Sequence, residues 1–583
     1  AFLWSKIVLE RSWVTVDGLG RSLVAGVGRS RGSARPGFAW FFGGDALAVS
    51  RALAAIGDPS AARSLLRFVA STQRADGKLM HELTLAAGLC RWTQDYPYAY
   101  YKGQVTPGFV ACLAHYWQSF GDAELVRELW PAALRALQWC HATLGDDRQM
   151  RVPRAGIAAV EAGPLAGEIE SEVFLEGIQL AALSGALELL RALDLPRGDL
   201  DLDAWERAAR AAFESFWSPK QGRYGFARLR DGSLCADATA YLGLPLSRGI
   251  GLPARALASA RALATPELCA DWGARMFSTS SALYDPEHYN TGSVFPYLTN
   301  FVVLALYRHA LPAQAFQLLE SQVALCGFDG PGLVPEHLLG DRAATPARGV
   351  PHQAFSSGAI LQSIVYGLFG LEARASERTL VLRSTLPSQW EYARLEGFSI
   401  GATRVDIELR RVRAQGESTS SASVHVTSGP PLYVHWLPRL PALSRLPAIG
   451  RIDGRSTVIA VGSLDSGAME AAFPVREVSG SAELALTAQE GPSLSLPGQP
   501  LVRGAHSSQV RLIGERVEDR SVAWTLTGPG RSRASLPLSS DRPLCVRGAE
   551  FHGDRLELEF PPPPGAGQHG FTQTTVHLEL REP

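Results

Sequence analysis

Two glutamates stand in loops that offer them little to pair with. Glu336 lies in GLVPEHLLGD and Glu161 in GIAAVEAGPLAG, both apolar and glycine-flanked. An unpartnered buried carboxylate is costly, so each position implies a pairing, a helix cap, a surface turn, or a use. Two carboxyls facing one pocket can do one kind of work together. One, kept protonated by apolar surroundings, donates to a leaving oxygen, while the other, ionised, activates water or attacks. That is the equipment for glycosidic bond cleavage. Glu168, Glu170 and Glu172 compete for the donor's place, although acids ahead of a helix commonly serve its N-terminus. Asp271 and Glu82 are outer candidates.

The loops around these acids are rich in flat side chains and glycine: PGFAWFFGGDAL (36–47), YPYAYYKGQVTPGF (96–109), DWGARMF (271–277) and HYNTGSVFP (288–296). Aromatic faces stack on sugar rings while fixed polar groups hold the hydroxyls. Trp40, Phe42, Tyr101 and Trp272 are therefore expected to line a carbohydrate site, with Gln104 and Asn290 as polar partners. Asp45, just after FFGG, reads either as a helix N-cap or as an acceptor for sugar hydroxyls. His352 and Gln353 open a helix in GVPHQAFSSG, where a histidine more often has a structural hydrogen bond. Taken singly, each loop also reads as ordinary core and turn.

Helices must carry these loops. Up to about residue 374, apolar residues recur at three- and four-residue spacing, as in AARSLLRFVASTQ and LEGIQLAALSGALELLRAL. About twelve helices are predicted, near 2–24, 44–57, 60–74, 106–119, 124–145, 171–193, 203–217, 237–248, 254–264, 294–309, 311–325 and 354–370. Every second one is entered through a loop ending in a polar residue, at intervals of about 53 to 68 residues, which suits a helical-hairpin repeat. The helices so entered are apolar nearly all round, while their neighbours keep a charged face. Six hairpins closed into a ring would gather the entry loops at one mouth; an open solenoid is the alternative. Beyond residue 375 come short alternating segments such as RVDIELRR, SASVHVTS and TTVHLELRE. The expected order is mainly α, then all-β: residues 1–374 helical, 375–475 a β-sandwich, 476–583 a second sandwich or its continuation.

Composition sets the limits. The chain has 583 residues, 46% hydrophobic and 19% charged, which is a packed globular composition of several domains. Lys plus Arg (56) against Asp plus Glu (57) leaves −1, so no field attracts nucleic acid or anionic lipid. No run of 18 apolar residues predicts a membrane span. Seven scattered cysteines without CxxC read as buried thiols, and the 13 histidines lack ligand spacing, so neither metal nor cofactor is expected. There is no GxGxxG after a strand, no GxxxxGK[ST] and no HExxH. The chain begins at Ala1 without a signal sequence, which suggests processing or a piece of a longer protein. The compartment stays open, with cytoplasm slightly favoured, and the oligomeric state is unread.

Several strings together resemble a family. HYNTGSVFPYLTNFVVLALYRHA, VPEHLLGD, GVPHQAFSSGAILQSIVYGLFGLE and LRSTLPSQWEYARLEGFSIGATRVDIELRR, with FFGGDAL, QRADGKLMHE and DWGARMF, are similar to bacterial glycogen-debranching-enzyme-like proteins. These are amylo-α-1,6-glucosidase relatives of the six-hairpin glycosidase superfamily, and the likeness spans roughly residues 30–410. The resemblance implies an (α/α)6 toroid followed by β-sandwich material. It also implies hydrolysis of a glycosidic bond, usually with inversion, with Glu161 as general acid and Glu336 as general base. Asp45 would hold the terminal sugar, and His352 with Gln353 would line the mouth. Gly44 stands where many relatives have Arg, Gln104 where they often have Asp, and FPYLTN where they have a WPHDN-like stretch. The expected activity is an exo-acting hydrolase of an α-linked glucan or oligosaccharide. A hydrolase or phosphorylase of another sugar, or an inactive carbohydrate-binding protein, are the alternatives.

Overall fold

The computed structural model describes residues 1–28, 38–161, 163–347, 349–447, 449–563 and 570–581. Pro36 and Gly37 of the first aromatic loop and Ala162 of the Glu161 loop lie outside the described residues.

Six helices share an inner position: α1 (Gly43–Ala55), α2 (Val105–Phe120), α3 (Val173–Ala192), α4 (Gly243–Ser247), α5 (Pro296–Arg308) and α6 (Ala354–Gln362). Their packing runs α1 on α2, α2 on α3, α3 on α4, α4 on α5, α5 on α6, and α6 back on α1. Near-continuous apolar sequence is what such a position requires, because neighbours crowd every face. α3 is long and apolar enough to cross a membrane, yet it is a core helix packed between α2 and Leu202–Phe213.

The partner helices Phe2–Arg11, Pro59–Ser71, Ala123–Ala142, Leu202–Phe213, Pro253–Ala262 and Pro312–Leu325 lie outside. Three of them are capped by aspartates. Asp58 accepts from the Ala61 amide at 2.9 Å, Asp122 from Leu125 at 3.1 Å, and Asp201 from Ala204 at 2.9 Å. The inner helices are entered differently. Phe42, Glu172, Phe295 and Gln353 precede α1, α3, α5 and α6 in extended conformation, and none makes a side-chain cap. The polar groups at those entrances are thus not consumed by the helix ends.

Three predicted helices change. The first ends at Arg11 and gives way to a hairpin of Trp13–Val16 with Gly20–Leu23. The one expected at 237–248 shrinks to the single turn Ala240–Leu242 and α4, because Thr239 and the residues before it follow extended paths. The last α-helix widens after Gln362 into a π-helical stretch, Ser363–Leu368, whose Ser363 hydroxyl meets Asn300 at 2.9 Å and Gln322 at 2.8 Å.

Strands take over at Leu371. A six-stranded antiparallel sheet includes Tyr392–Ile400, Thr403–Ala414, Glu417–Ser428 and Ser481–Ala488, with inward and outward side chains alternating. Because Ser481–Ala488 pairs with Glu417–Ser428, the first β unit continues past residue 475, where the sequence pattern had placed its end. Its core is continuous with that of the helices, whereas two four-stranded sheets from Ser493 to Leu580 enclose a separate core around Trp524. Arg511 ties this last unit to the helices, donating to the Ala270 carbonyl at 2.8 Å and lying 3.4 Å from Asp271.

Candidate active site

A cavity of about 1280 Å3 is lined by residues from all six inner helices and the loops that enter them. Of the residues expected to form a site, Asp45, Phe42, Gln104, Glu161, Asn290, Glu336 and Gln353 line it. Loops about 300 residues apart meet there, as where Gln353 donates to Asp45.

Glu336 is buried, 3% exposed, in a loop held by backbone bonds. Its amide donates to Val350 at 3.0 Å, and the neighbouring Val334 carbonyl accepts from Gln353 at 3.0 Å. One carboxyl oxygen accepts a hydrogen bond from the Tyr289 hydroxyl at 2.5 Å; the other has no partner. Burial pushes its pKa up to about 8, opposed by the Tyr289 bond and assisted by the nearby charges of Asp45 and Glu161. Asp45 lies in the first turn of α1 and accepts from Gln353 Nε2 at 2.7 Å. Burial raises it to about 7 against that hydrogen bond, with Glu82 adding to the rise. It is not the N-cap, a place taken by Phe42.

Glu161 occupies a different environment. Its side chain is 37% exposed and pairs with the ammonium of buried Lys102. Its loop is pinned from several sides. The Lys102 ammonium also donates to Ala158 O at 3.1 Å, Glu172 accepts from the Ala159 amide at 2.9 Å, and Asn290 accepts from the Glu161 amide at 3.2 Å. Gly156 enters this loop with φ +91°, and a Cβ there would stand 2.2 Å from the Tyr101 carbonyl, so only glycine lets the two segments approach. Glu172 is itself buried, and burial raises it to about 7. It supports the Glu161 loop from behind rather than lining the cavity.

Several expected residues sit elsewhere. Trp272 is fully buried, with its indole N–H on the Leu339 carbonyl at 2.8 Å, and belongs to the protein core. Trp40 stacks on Phe42 and meets Trp92 edge-on, outside the lining, and Tyr101 packs on Tyr98. His352 does not line the cavity either. Its Nδ1 accepts from the Val334 amide at 3.4 Å, so it braces the Glu336 loop, and burial lowers it to about 4 and keeps it neutral. Glu170 pairs with Arg151 at 3.2 Å, Glu168 is exposed, and Asp271 joins the last β unit, where it accepts from the Ser508 amide at 2.7 Å.

Other lining residues were not singled out by the sequence: Lys102, Tyr289, His337, Arg51, Arg248 and Tyr297. Tyr289 and His337 are immediate neighbours of Asn290 and Glu336, so adjacency to a flagged residue was the available signal. His337 stacks on Phe295 at 5.2 Å, and burial lowers it to about 3. Among the described residues no group of three or more His, Cys, Asp and Glu is placed to hold a metal ion. The arrangement can move a proton at Glu336, set Glu161 against the Lys102 ammonium, and accept hydroxyl hydrogens at Asp45.

Comparison with known proteins bears on the fold and the class of domain. Residues 170–346 match the family model described as mannosylglycerate hydrolase MGH1-like glycoside hydrolase domain. No curated protein matches the chain in sequence. Among solved structures, the mannosylglycerate hydrolase of Thermus thermophilus, in complex with Tris and D-glycerate, is 16% identical. It aligns over 62% of this chain and 98% of its own, at TM-score 0.47. An α-L-rhamnosidase from Dictyoglumus thermophilum is 12% identical over 77% of this chain and 46% of its own, at TM-score 0.52. A sialidase is 11% identical over 70% of this chain and 37% of its own, at TM-score 0.53. The last two likenesses show a shared fold. Nothing here is specific to glycogen debranching; the helical region, through residues 170–346, is related to a glycoside hydrolase domain.

Proposed function

We propose that this protein is a glycoside hydrolase that uses Glu161 and Glu336 as its carboxyl pair and Asp45 to hold the hydroxyls of the bound sugar. The inner helices would then be the closed (α/α)6 toroid, with the mouth at their N-terminal ends. The observation that carries the reading is the meeting of three acids, from loops remote in sequence, in one cavity, with two of them raised into the neutral range by burial. A short α-linked glycoside or oligosaccharide, attacked from its end and with inversion, is the substrate class.

Glu161 as acid and Glu336 as base is the division the family resemblance implies. Tyr289 supports it, since a hydroxyl donating to Glu336 favours and orients the carboxylate that takes a proton from water. A second reading exchanges the roles. The Lys102 ammonium lies against Glu161 while burial keeps the proton on Glu336, so the free protein carries its proton on Glu336. Kinetics of Glu161→Gln and Glu336→Gln decide, using α-glucan oligosaccharides, mannosylglycerate, and aryl glycosides with good and poor leaving groups. Each variant is expected to lose about 10²- to 10⁴-fold on poor leaving groups. The one that recovers on good leaving groups lacks the acid. If wild type binds sugars and releases none, the protein is a carbohydrate-binding one and the hydrolase reading is wrong.

A further inference from the structure

Among the described residues, the far end of the cavity holds two arginines and no acid. Arg51 lies on α1 six residues beyond Asp45, which at 1.5 Å per residue sets it about 9 Å deeper. Arg248 directly follows α4, at the end of that helix away from the mouth. Both line the same cavity as Glu161 and Glu336, in company with Cys112, Tyr297 and Gln362. Arg51 Nε donates to Gln362 Oε1 at 3.3 Å, and its guanidinium stands 5.9 Å from the Tyr366 ring. Its Nη1 is buried without a hydrogen-bond partner. Among the described residues, neither guanidinium has a carboxylate within ion-pairing distance. The neighbours acting on Arg248 are the cations Arg51 and Arg308 together with Cys112 and Tyr297, and burial, then Arg51, push it down to about 9.

Such a pair is expensive as it stands. Two partly shielded guanidinium groups lie close enough to repel, and among the described residues no carboxylate pairs with either. A guanidinium is also a planar fork of donors that matches the paired oxygens of a carboxylate or phosphate. The aliphatic and aromatic walls at this depth would strengthen that attraction by excluding water. We infer that the floor of the cavity is an oxyanion site, in which Arg51 and Arg248 grip a carboxylate or phosphate group. The oxyanion reaches it through the mouth, either as a free small anion or as the acidic group of a sugar. The site uses neither Glu161 nor Glu336, so it does not depend on the hydrolase reading.

Calorimetric titration at constant ionic strength tests it, with inorganic phosphate, glucuronate and neutral glucose as ligands. The proteins are wild type, Glu336→Gln, Arg51→Met, Arg248→Met and Arg248→Lys. Saturable binding of phosphate or glucuronate is expected in wild type and Glu336→Gln. It should weaken at least tenfold in each Met variant, with Arg248→Lys, which keeps the charge but loses the fork, in between. Glucose binding should be indifferent to the arginine changes. Phosphate binding would identify a free anion as the occupant, and glucuronate binding without phosphate binding an acidic sugar. Absence of both in wild type overturns the inference, even if the arginine variants do not fold, and so does unchanged anion binding in folded variants. A wild type that binds phosphate but cleaves no glycoside would remove the hydrolase reading and leave this one standing.

Discussion

Replacing Glu336 by Gln should flatten the dependence of stability on pH. In the unfolded chain this carboxyl ionises near its ordinary 4.5; in the folded protein burial holds its proton until about pH 8. Between those values the folded state binds one more proton than the unfolded state, so stability falls as pH rises through the window and is level on either side. At about 1.4 kcal/mol per pH unit the rise corresponds to roughly 5 kcal/mol, an upper figure because water in the cavity screens the charge. The Gln side chain keeps the shape and has no proton to lose. Wild type and variant should therefore melt alike near pH 5, and the variant should gain on wild type up to pH 8, by several degrees at about 2–4 °C per kcal/mol for a domain of a few hundred residues. Asp45 and Glu172, raised to about 7 by burial, slope the same way in both proteins, so the difference between the two curves reports Glu336 together with its coupling to Asp45. Calorimetric melting at half-unit steps from pH 4.5 to 8.5 provides the comparison. Parallel curves would mean that Glu336 is not a buried proton carrier, and the electrostatic argument for the site would fall with it.

Tyr289→Phe removes a hydrogen bond to a charged group, worth about 1.5–3 kcal/mol, so the limb of the pH–rate profile that belongs to Glu336 should move upward; an unmoved limb would show that the bond does not tune this acid. Trp272→Ala, in the core rather than the cavity, should cost about 3–5 kcal/mol of stability and leave KM unchanged, whereas a raised KM with an intact Tm would return Trp272 to the sugar site. Arg511→Met breaks from one side a buried contact with Asp271, at a cost of about 3–5 kcal/mol. The last β unit should then melt separately and earlier in calorimetry, and a single unshifted transition would refute the role of Arg511 in docking it.

The helices were legible because burial leaves a periodic trace. α1, α2 and α3 fall within a residue or two of where three- and four-residue spacing put them. The change to β structure near residue 371 is visible as alternation, since a strand exposes every second side chain. Glu161 and Glu336, which line the cavity, were singled out because a carboxyl in an apolar loop needs an explanation. The sequence could not separate Trp272, a core residue, from an aromatic that faces a sugar, because both are flat, apolar side chains beside glycine. Nor could it show that His352 braces a loop while Gln353, one residue on, reaches Asp45. Local pattern thus determined which segments are helix or strand and which acids lacked local partners, since those properties depend on neighbours within a few residues. Tertiary structure alone decided that Lys102 meets Glu161, that Tyr289 meets Glu336, and that Arg51 and Arg248 share a floor without an acid. Contacts between positions tens or hundreds of residues apart, and the pKa values that burial imposes on them, leave no periodic mark in the chain.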